Sequence, residues 1–481
     1  MSASAALTLA LGIALARGWE PGIQGEWVWE RNRLPAHLGS AAAAGGLLVA
    51  AVGVFCRGGR WKKRRAIWRG VWIAALVLVV WALQWGLLTA AGPRSVSWIA
   101  PGAIIASPNA TTYFGVSLGV QDVRAWLGSY QAMMPQLPYH ARTHPPGFVL
   151  LFLFLRRASA GLIGDSNPGL TAIGDYYSRM FGLPLSGADA AAATAGALGI
   201  GLLGACGLVP LYLLGRRISN DDSATCAVAL MAGMPALLLL GASADLVLMT
   251  LAIATLGLLY AAWRRRSAAL ALVAGVVMAV GMFFSFAFIA VGVWAVVWAG
   301  LGLRASKDRR ATARGLLAGA AVALVGFGIA YLCLYLATGY KPVAVARAAL
   351  AAHRDVTTVE AGRTYWKWVF MNLGETAIFA GLPLVLAAVW SGGALRRDPE
   401  LGRWRCFLLS WVIVFGLLDI SGTIRGEVGR IWLFLLWPAA IAAAPLLSRS
   451  RNRAIVVTAL VLLQVCQAIL MRTHLTMYSV L

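Results

Sequence analysis

About thirteen apolar runs, most of them near the roughly 20 residues that span a bilayer as a helix, constrain this chain more than any motif it contains. They fall at 3–17, 38–56, 71–91, 188–214, 224–241, 245–262, 268–284, 285–303, 313–337, 375–392, 405–420, 430–447 and 453–471. A further run, 148–163, is ambiguous in length. Hydrophobic residues fill 60% of the 481 positions and charged residues only 12%, at a mean hydropathy of +0.76, which excludes a soluble globular enzyme. The expected fold class is all-α, a polytopic integral membrane protein. The first run ends in Ala14-Leu15-Ala16, like a signal-peptide cleavage site, but no Lys or Arg precedes it, and it is read as retained. Cys56, Cys206, Cys226, Cys333, Cys406 and Cys466 lie in or at the ends of apolar runs, form no C-x-x-C pair, and read as buried packing residues.

Charge sets the orientation. If 148–163 does not cross, the loops at 57–70, 215–223, 263–267, 304–314, 393–405 and 448–453 share one side and carry 24 of the 41 Lys and Arg. With five of the 18 acids there as well, that side stands at +19 and the other at +4, so the basic side is cytoplasmic. Were 148–163 to cross, every later basic loop would move outside. The run is therefore expected to be an interfacial or half-inserted helix in a long external loop. The net charge of +23 then reflects orientation and attraction to anionic membrane lipids, with the block Arg60 to Arg65 as an inner-surface anchor, and implies no nucleic-acid partner. The chain divides into an N-terminal transmembrane hairpin with the first core helix (1–91), an external loop (92–187), a transmembrane core (188–337), a second external loop (338–374) and C-terminal transmembrane helices (375–481).

Within the long loop, Leu137 to Gly147 reads L-P-Y-H-A-R-T-H-P-P-G. Ionisable residues at that density beside a membrane are costly unless they act. Pro145 and Pro146 remove two backbone donors and disfavour helix before them, so His140, Arg142 and His144 are expected on a shaped, non-helical approach to the apolar run 148–155. A Pro-rich helix entry at the interface is the alternative. Other external polar groups gather at Glu26 to Asn32, at Asn109, Tyr113 and Asp122, at Arg363, Tyr365, Trp368, Asn372 and Glu375, and at Arg425 to Arg430, with Asp245 at the outer end of a helical hairpin. Arg and Lys can hold a phosphate, a carboxylate can deprotonate a hydroxyl, and aromatic rings can stack on a sugar. The alternative is that Trp and Tyr form an interfacial belt while Arg and Glu pair at helix ends. No nucleotide-binding G-x-x-x-x-G-K-[ST] loop is present, and the five His are too scattered for a metal cluster.

The long external loop, the His-Pro-Pro tract leading into an apolar helix, and a span ending Leu213-Leu214-Gly215-Arg216-Arg217 together resemble the C-type (GT-C) glycosyltransferase superfamily, which includes protein O-mannosyltransferases and the aminoarabinose transferase of lipid A. The resemblance runs from about Trp98 to Arg266, and more weakly through Gly362 to Leu382 and Gly426 to Pro438. It implies interfacial helices in the long loop and sugar transfer from a polyprenyl-phosphate-linked donor to a cell-envelope glycan, lipid or protein acceptor. The site would face outward from a cell membrane, read as a bacterial inner membrane. A divalent cation, Mg or Mn, is left open, with no metal ligand assigned. Relatives place an acidic pair just ahead of a Tyr in the first external loop; here that stretch reads Asn109 to Tyr113, without a carboxylate. Asp122 or Glu26, then Asp245 or Glu427, are the expected catalytic acids. Tyr113, His140, Arg142, His144, Arg363, Tyr365, Trp368, Asn372, Arg425 and Arg430 are the expected substrate-binding residues. A polyprenyl-linked saccharide flippase or small-molecule transporter, and a non-catalytic membrane partner, are the competing classes.

Overall fold

The computed structural model describes residues 1–57, 65–90, 92, 94–164, 167–354 and 362–478. Most of the basic block 60–65 lies outside the described residues. The chain is 79% helical. It opens with α1 (Ser2–Ala16), a two-stranded antiparallel hairpin of β1 (Gly22–Ile23) and β2 (Trp27–Val28), α2 (Gly39–Arg57) and α3 (Arg65–Leu88). The long loop folds into short helices: α4 (Ala100–Ala106), α5 (Tyr113–Leu118), α6 (Val123–Met133), α7 (Tyr139–Thr143), α8 (Gly147–Leu162) and α9 (Pro168–Phe181). The core follows as α10 (Gly187–Cys206), α11 (Leu208–Ile218), α12 (Asp221–Ala232), α13 (Pro235–Leu239), α14 (Asp245–Arg265), α15 (Ala268–Phe284), α16 (Phe288–Arg304) and α17 (Arg309–Thr338). The remainder is α18 (Pro342–Arg354), α19 (Tyr365–Ala380), α20 (Leu382–Leu395), α21 (Gly402–Ser421), α22 (Val428–Ile431), α23 (Leu433–Leu436), α24 (Pro438–Ser448) and α25 (Arg453–His474).

Among the described residues, seven helices combine the length and apolarity to cross a membrane, or eight if the bent pair α19 and α20 counts as one span, against the thirteen expected. The shortfall has local causes. The apolar run 224–241 is cut between α12 and α13, where Gly233 is followed by Pro235 at the first turn of α13. The run 375–392 turns by 104° at Gly381, whose φ of 99° only glycine adopts without strain. The helices α15 and α16 stop at 17 residues each, and α1 at 15. Run 148–163 forms the 16-residue α8, below the length of a span.

Breaking a helix in an apolar interior frees backbone groups that must find partners. Three buried glutamines supply them. Gln467 on α25 spans the Gly381 break, donating from Nε2 to the Ile378 carbonyl at 2.7 Å and accepting at Oε1 from Leu382 N–H at 3.0 Å. Gln84 on α3 donates to the Leu237 carbonyl at 2.8 Å, and Gln464 on α25 to the Leu230 carbonyl at 3.2 Å. The two breaks also touch: a Cβ at Gly381 would lie 3.0 Å from Pro235 Cδ.

The long helix α17 hangs on the core by close backbone contact. A Cβ at Gly275 of α15 would meet the Ala323 carbonyl at 1.9 Å, and one at Gly326 would meet the Leu272 carbonyl at 2.3 Å, so glycine alone fits either position. Most of its other side chains, Leu317, Leu324 and Leu336 among them, remain exposed. All six cysteines are free thiols. Cys333 on α17 and Cys466 on α25 are exposed rather than buried, because they fall on helix faces that no neighbour covers.

Candidate functional site

A cavity of about 940 Å³ opens between the short loop helices, the start of α14, the 423–432 segment, the N-terminal hairpin and the C-terminal tail. The chain closes it with segments far apart in sequence. Arg31 bridges Leu475, Thr476 N–H donates to the Glu30 carbonyl at 2.8 Å, and Asn32 N–H donates to the His474 carbonyl at 2.8 Å. Tyr478 then reaches across to accept from Ala242 N–H at 3.2 Å.

The floor of the polar end comes from the His-Pro-Pro tract. The non-helical approach expected before Pro145 holds only for His144, which is extended; Tyr139 to Thr143, with His140 and Arg142, make the single helical turn α7. His144 Nδ1 lies 3.0 Å from the His140 carbonyl, so Nδ1 carries the proton and Nε2 is left with a lone pair. Tyr113 packs between the two imidazoles and Phe148, at centroid distances of 6.1, 6.0 and 5.4 Å. Burial, then the Arg430 charge, then His144 hold His140 down at about 3; burial and the positive potential of His353 hold His144 down at about 4 despite its bond to the His140 carbonyl. Both rings are neutral at physiological pH.

The roof carries the charges. Glu427 sits in the left-handed region at φ 59°, next to Gly426 at φ 90°, a conformation costly for a side chain bearing a Cβ. It bonds Arg430 Nη2 through Oε2 at 2.7 Å and lies 3.6 Å from Arg363 Nη2 through Oε1. Although burial opposes a charge on Arg430, Glu427, Asp245, Tyr113 and Tyr478 outweigh it and hold the guanidinium ionised. Asp245, at the first turn of α14, accepts from Ser243 Oγ at 2.8 Å and lines the cavity.

A second tier fixes this strained turn. Asn372 donates to Asp419 at 3.0 Å and to the Ile424 carbonyl at 3.1 Å, and accepts from Gly426 N–H at 3.2 Å. Glu375, fully buried, accepts at Oε1 from Gly429 N–H and Trp29 Nε1, both at 2.9 Å. Arg363 donates to the Arg425 carbonyl while Arg425 returns a bond to the Arg363 carbonyl at 2.6 Å. A Cβ at Gly429 would lie 2.4 Å from the Phe379 ring, so that position admits no larger residue.

Several sequence-selected residues are placed elsewhere. Asp122 is exposed and caps α6, accepting from Arg124 and Ala125 N–H, away from the cavity. Glu26 accepts from Thr364 N–H and Oγ1, Lys367 Nζ and Trp368 Nε1 at 2.7–3.0 Å, which fills both carboxylate oxygens. Burial would raise its pKa, but these four donors prevail and hold it at about 2, so Glu26 is a clamp between hairpin and α19. Trp368 is fully buried in that clamp, Asn372 sits behind the cavity wall, and Tyr365 packs under Arg425 at 5.6 Å. Arg142 does not line the cavity. Tyr113, His140, His144, Asp245, Arg363, Arg425, Glu427 and Arg430 do converge on it. Tyr478 and His353, also lining residues, were not among the expected site residues. For Tyr478 only an aromatic beside polar residues after the last span hinted at a role.

The polar end does not fit a divalent cation. Glu427 is committed to two guanidinia, the central fixed charge is itself cationic, and no group of three or more His, Cys, Asp or Glu among the described residues has the arrangement of a metal site. The other end is apolar: Phe148, Phe152, Leu248, Ile289, Val293 and Leu417 lead from Tyr113 toward α16 and α21, whose Val293 and Leu417 are exposed on the outer surface of the bundle.

No family model matches the chain, and no curated protein matches it. Among solved structures it is similar to the Archaeoglobus fulgidus oligosaccharyltransferase in complex with Zn and sulfate, at 14% identity and a TM-score of 0.40. The match covers 78% of this chain and 53% of that one, so the chain spans about half the length of the structure it matches.

Proposed function

We propose that the protein is a membrane glycosyltransferase that moves a sugar from a polyprenyl-phosphate-linked donor to an acceptor hydroxyl at the outer face of a membrane. The observation that carries this reading is the continuity of one cavity: a half-buried guanidinium ringed by neutral imidazoles and carboxylates at one end, an apolar trough opening to the outer surface of the bundle at the other. A polyprenyl phosphate has that same division between anionic head and hydrocarbon tail. Arg430 holds the phosphate, with Arg363 and Arg425 completing the electropositive roof. The acceptor oxygen attacks the anomeric carbon as the bond from that carbon to the phosphate oxygen breaks. The bonding electrons leave with the phosphate toward Arg430, and the acceptor proton passes to Asp245. Of the four acids expected from sequence, Asp245 is the one that faces the cavity without being bound to a guanidinium or used up by capping or clamping. Neutral His140 and His144 can bond sugar hydroxyls without adding charge.

The two broken helices are the feature a flippase or transporter would share. Their freed groups, however, are tied to Gln84, Gln464 and Gln467, none of which lines the cavity.

The test uses the intact protein in proteoliposomes with polyprenyl-phosphate-linked sugars, reading release of polyprenyl phosphate. Release that depends on Arg430 and Asp245 is expected. Vectorial movement of intact donor without bond cleavage would replace this reading with transport.

A further inference from the structure

A second pocket, of about 460 Å³, lies at the opposite end of the bundle, among the basic loops. It is bounded by the ends of α14 and α16 and the starts of α17 and α21. Its wall is aromatic: Tyr260 and Trp298 stack at 4.7 Å with their planes 11° apart, and Trp263 packs edge-on against Tyr260 at 5.7 Å. Gly302 is needed for this wall to form, since a Cβ there would lie 2.5 Å from the Trp263 ring.

Three guanidinia, of Arg264, Arg266 and Arg403, line the pocket, and no carboxylate does. Four other arginines on the same face are instead neutralised by acids. Arg69 and Arg216 pair with Asp221, Arg449 with Asp398, and Arg453 with Asp222. Arg264, Arg266 and Arg403 have no carboxylate partner among the described residues. The two nearest acids in sequence to the pocket are turned elsewhere: Asp308 spends its carboxylate on the N-terminus of α17, accepting from Ala311 N–H at 3.0 Å, and Glu400 lies 3.8 Å from Arg449. Three uncompensated cations around an aromatic wall call for an anion.

The surroundings indicate what carries that anion. One or two turns deeper into the bundle, α16, α17 and α21 expose Val296, Leu317 and Leu409, at 72%, 70% and 50%. Apolar side chains this exposed, on the same helices that bound the pocket, suit acyl chains, which a soluble phosphate lacks. We propose that this pocket seats the phosphate headgroup of an anionic phospholipid in the leaflet on the basic-loop side, with its acyl chains on the exposed faces of α16, α17 and α21. Charge clusters at the ends of membrane helices attract anionic headgroups in general; here the acid-free arginine triad and aromatic wall define one place. The proposal is independent of the chemistry assigned to the larger cavity.

The test is native mass spectrometry of the intact protein purified in detergent and offered dioleoyl phosphatidylglycerol, dioleoyl phosphatidylcholine or inorganic phosphate. The wild type should retain phosphatidylglycerol over phosphatidylcholine, and the double variant Arg264→Gln/Arg403→Gln should lose that retention by roughly ten-fold or more, two charge-assisted contacts having gone. Arg451→Ala, an exposed arginine on the same face outside the pocket, should behave as wild type. The single variant Arg403→Gln, expected to lose part of the retention, is read in the same way if the double variant fails to fold. Equal retention in wild type and variants overturns the site. Binding of inorganic phosphate that displaces the lipid overturns the lipid assignment.

Discussion

The two ends of this bundle use charge in opposite ways. On the basic-loop side, ion pairs such as Arg449–Asp398 and Arg69–Asp221 sit at partly exposed helix ends, where water screens them and they mainly fix orientation. On the other side, Glu375 is buried while Arg430 and Glu427 are half-buried and bonded to each other, and Glu375 and Glu427 sit at the turn that presents them. The difference teaches that charge content alone does not locate a site: the more basic end carries more cations, yet the end with fewer has built them into a strained turn.

If that contrast is sound, the largest effect belongs to Arg430→Ala. Removing Arg430 leaves Glu427 with Arg363 alone, at 3.6 Å, and deletes the phosphate contact. Polyprenyl phosphate binding and sugar release should fall by about 100-fold or more, and Arg430→Lys should not restore the geometry of a planar fork. Wild-type turnover in Arg430→Ala would break the comparison outright.

Next comes Glu375→Ala, which orphans the buried Gly429 N–H and Trp29 Nε1–H and should cost about 1–3 kcal/mol of stability. A lowered melting temperature with weakened donor binding is expected. Unchanged stability would mean that the turn does not depend on its second tier.

Glu26→Gln is a finer probe. The folded carboxyl titrates at about 2, below its ordinary 4.5, so the stability it contributes is fully present above 4.5 and fades as pH falls toward 2. Hydrogen exchange of residues 20–32 should therefore rise across that window in wild type. In Glu26→Gln it should already be raised, and flat with pH; identical profiles would show that the clamp contributes nothing.

The smallest effect is expected on the basic side. Arg449→Ala should change stability by about 0–1 kcal/mol. Cysteine labelling sharpens the assignment of sides: Ser306→Cys should be protected from membrane-impermeant reagents in intact cells while Gly362→Cys reacts, and labelling of both from one side would reverse the contrast.

What could be read from sequence divides along physical lines. Apolar runs are local, and α2, α3, α10, α14, α17, α21 and α25 emerge close to the runs that predict them. The breaks were also written locally, as Gly233-Met234-Pro235 and Gly381-Leu382-Pro383, but a hydropathy run averages over them. Gln84, Gln464 and Gln467 were the visible signal, amides inside apolar runs with no evident reason to be there. At the cavity, the His-Pro-Pro tract and the 425–430 turn were legible because their residue types are dense. Asp122 misled because an acid before a helix is as good a cap as a base, and the following Val-Arg-Ala run is an ordinary helix start. Glu26 misled because its partners, Thr364 to Trp368, lie about 340 residues away, a distance across which spacing carries no information.

That separation has a consequence for how the cavity comes into being. Residues 30–32 are made early, but the segment that bonds to them, 474–476, lies at the end of α25 and just beyond it. Until α25 is inserted, residues 30–32 lack these bonds, Tyr478 is not yet there to meet Ala242, and Arg430 lacks one of its neighbours. Contacts of such high sequence separation form late and slowly. Assembly therefore ends at the polar end of the cavity, so a chain halted before residue 474 would hold most of its helices and yet lack the part of the lining that Thr476, Met477 and Tyr478 supply.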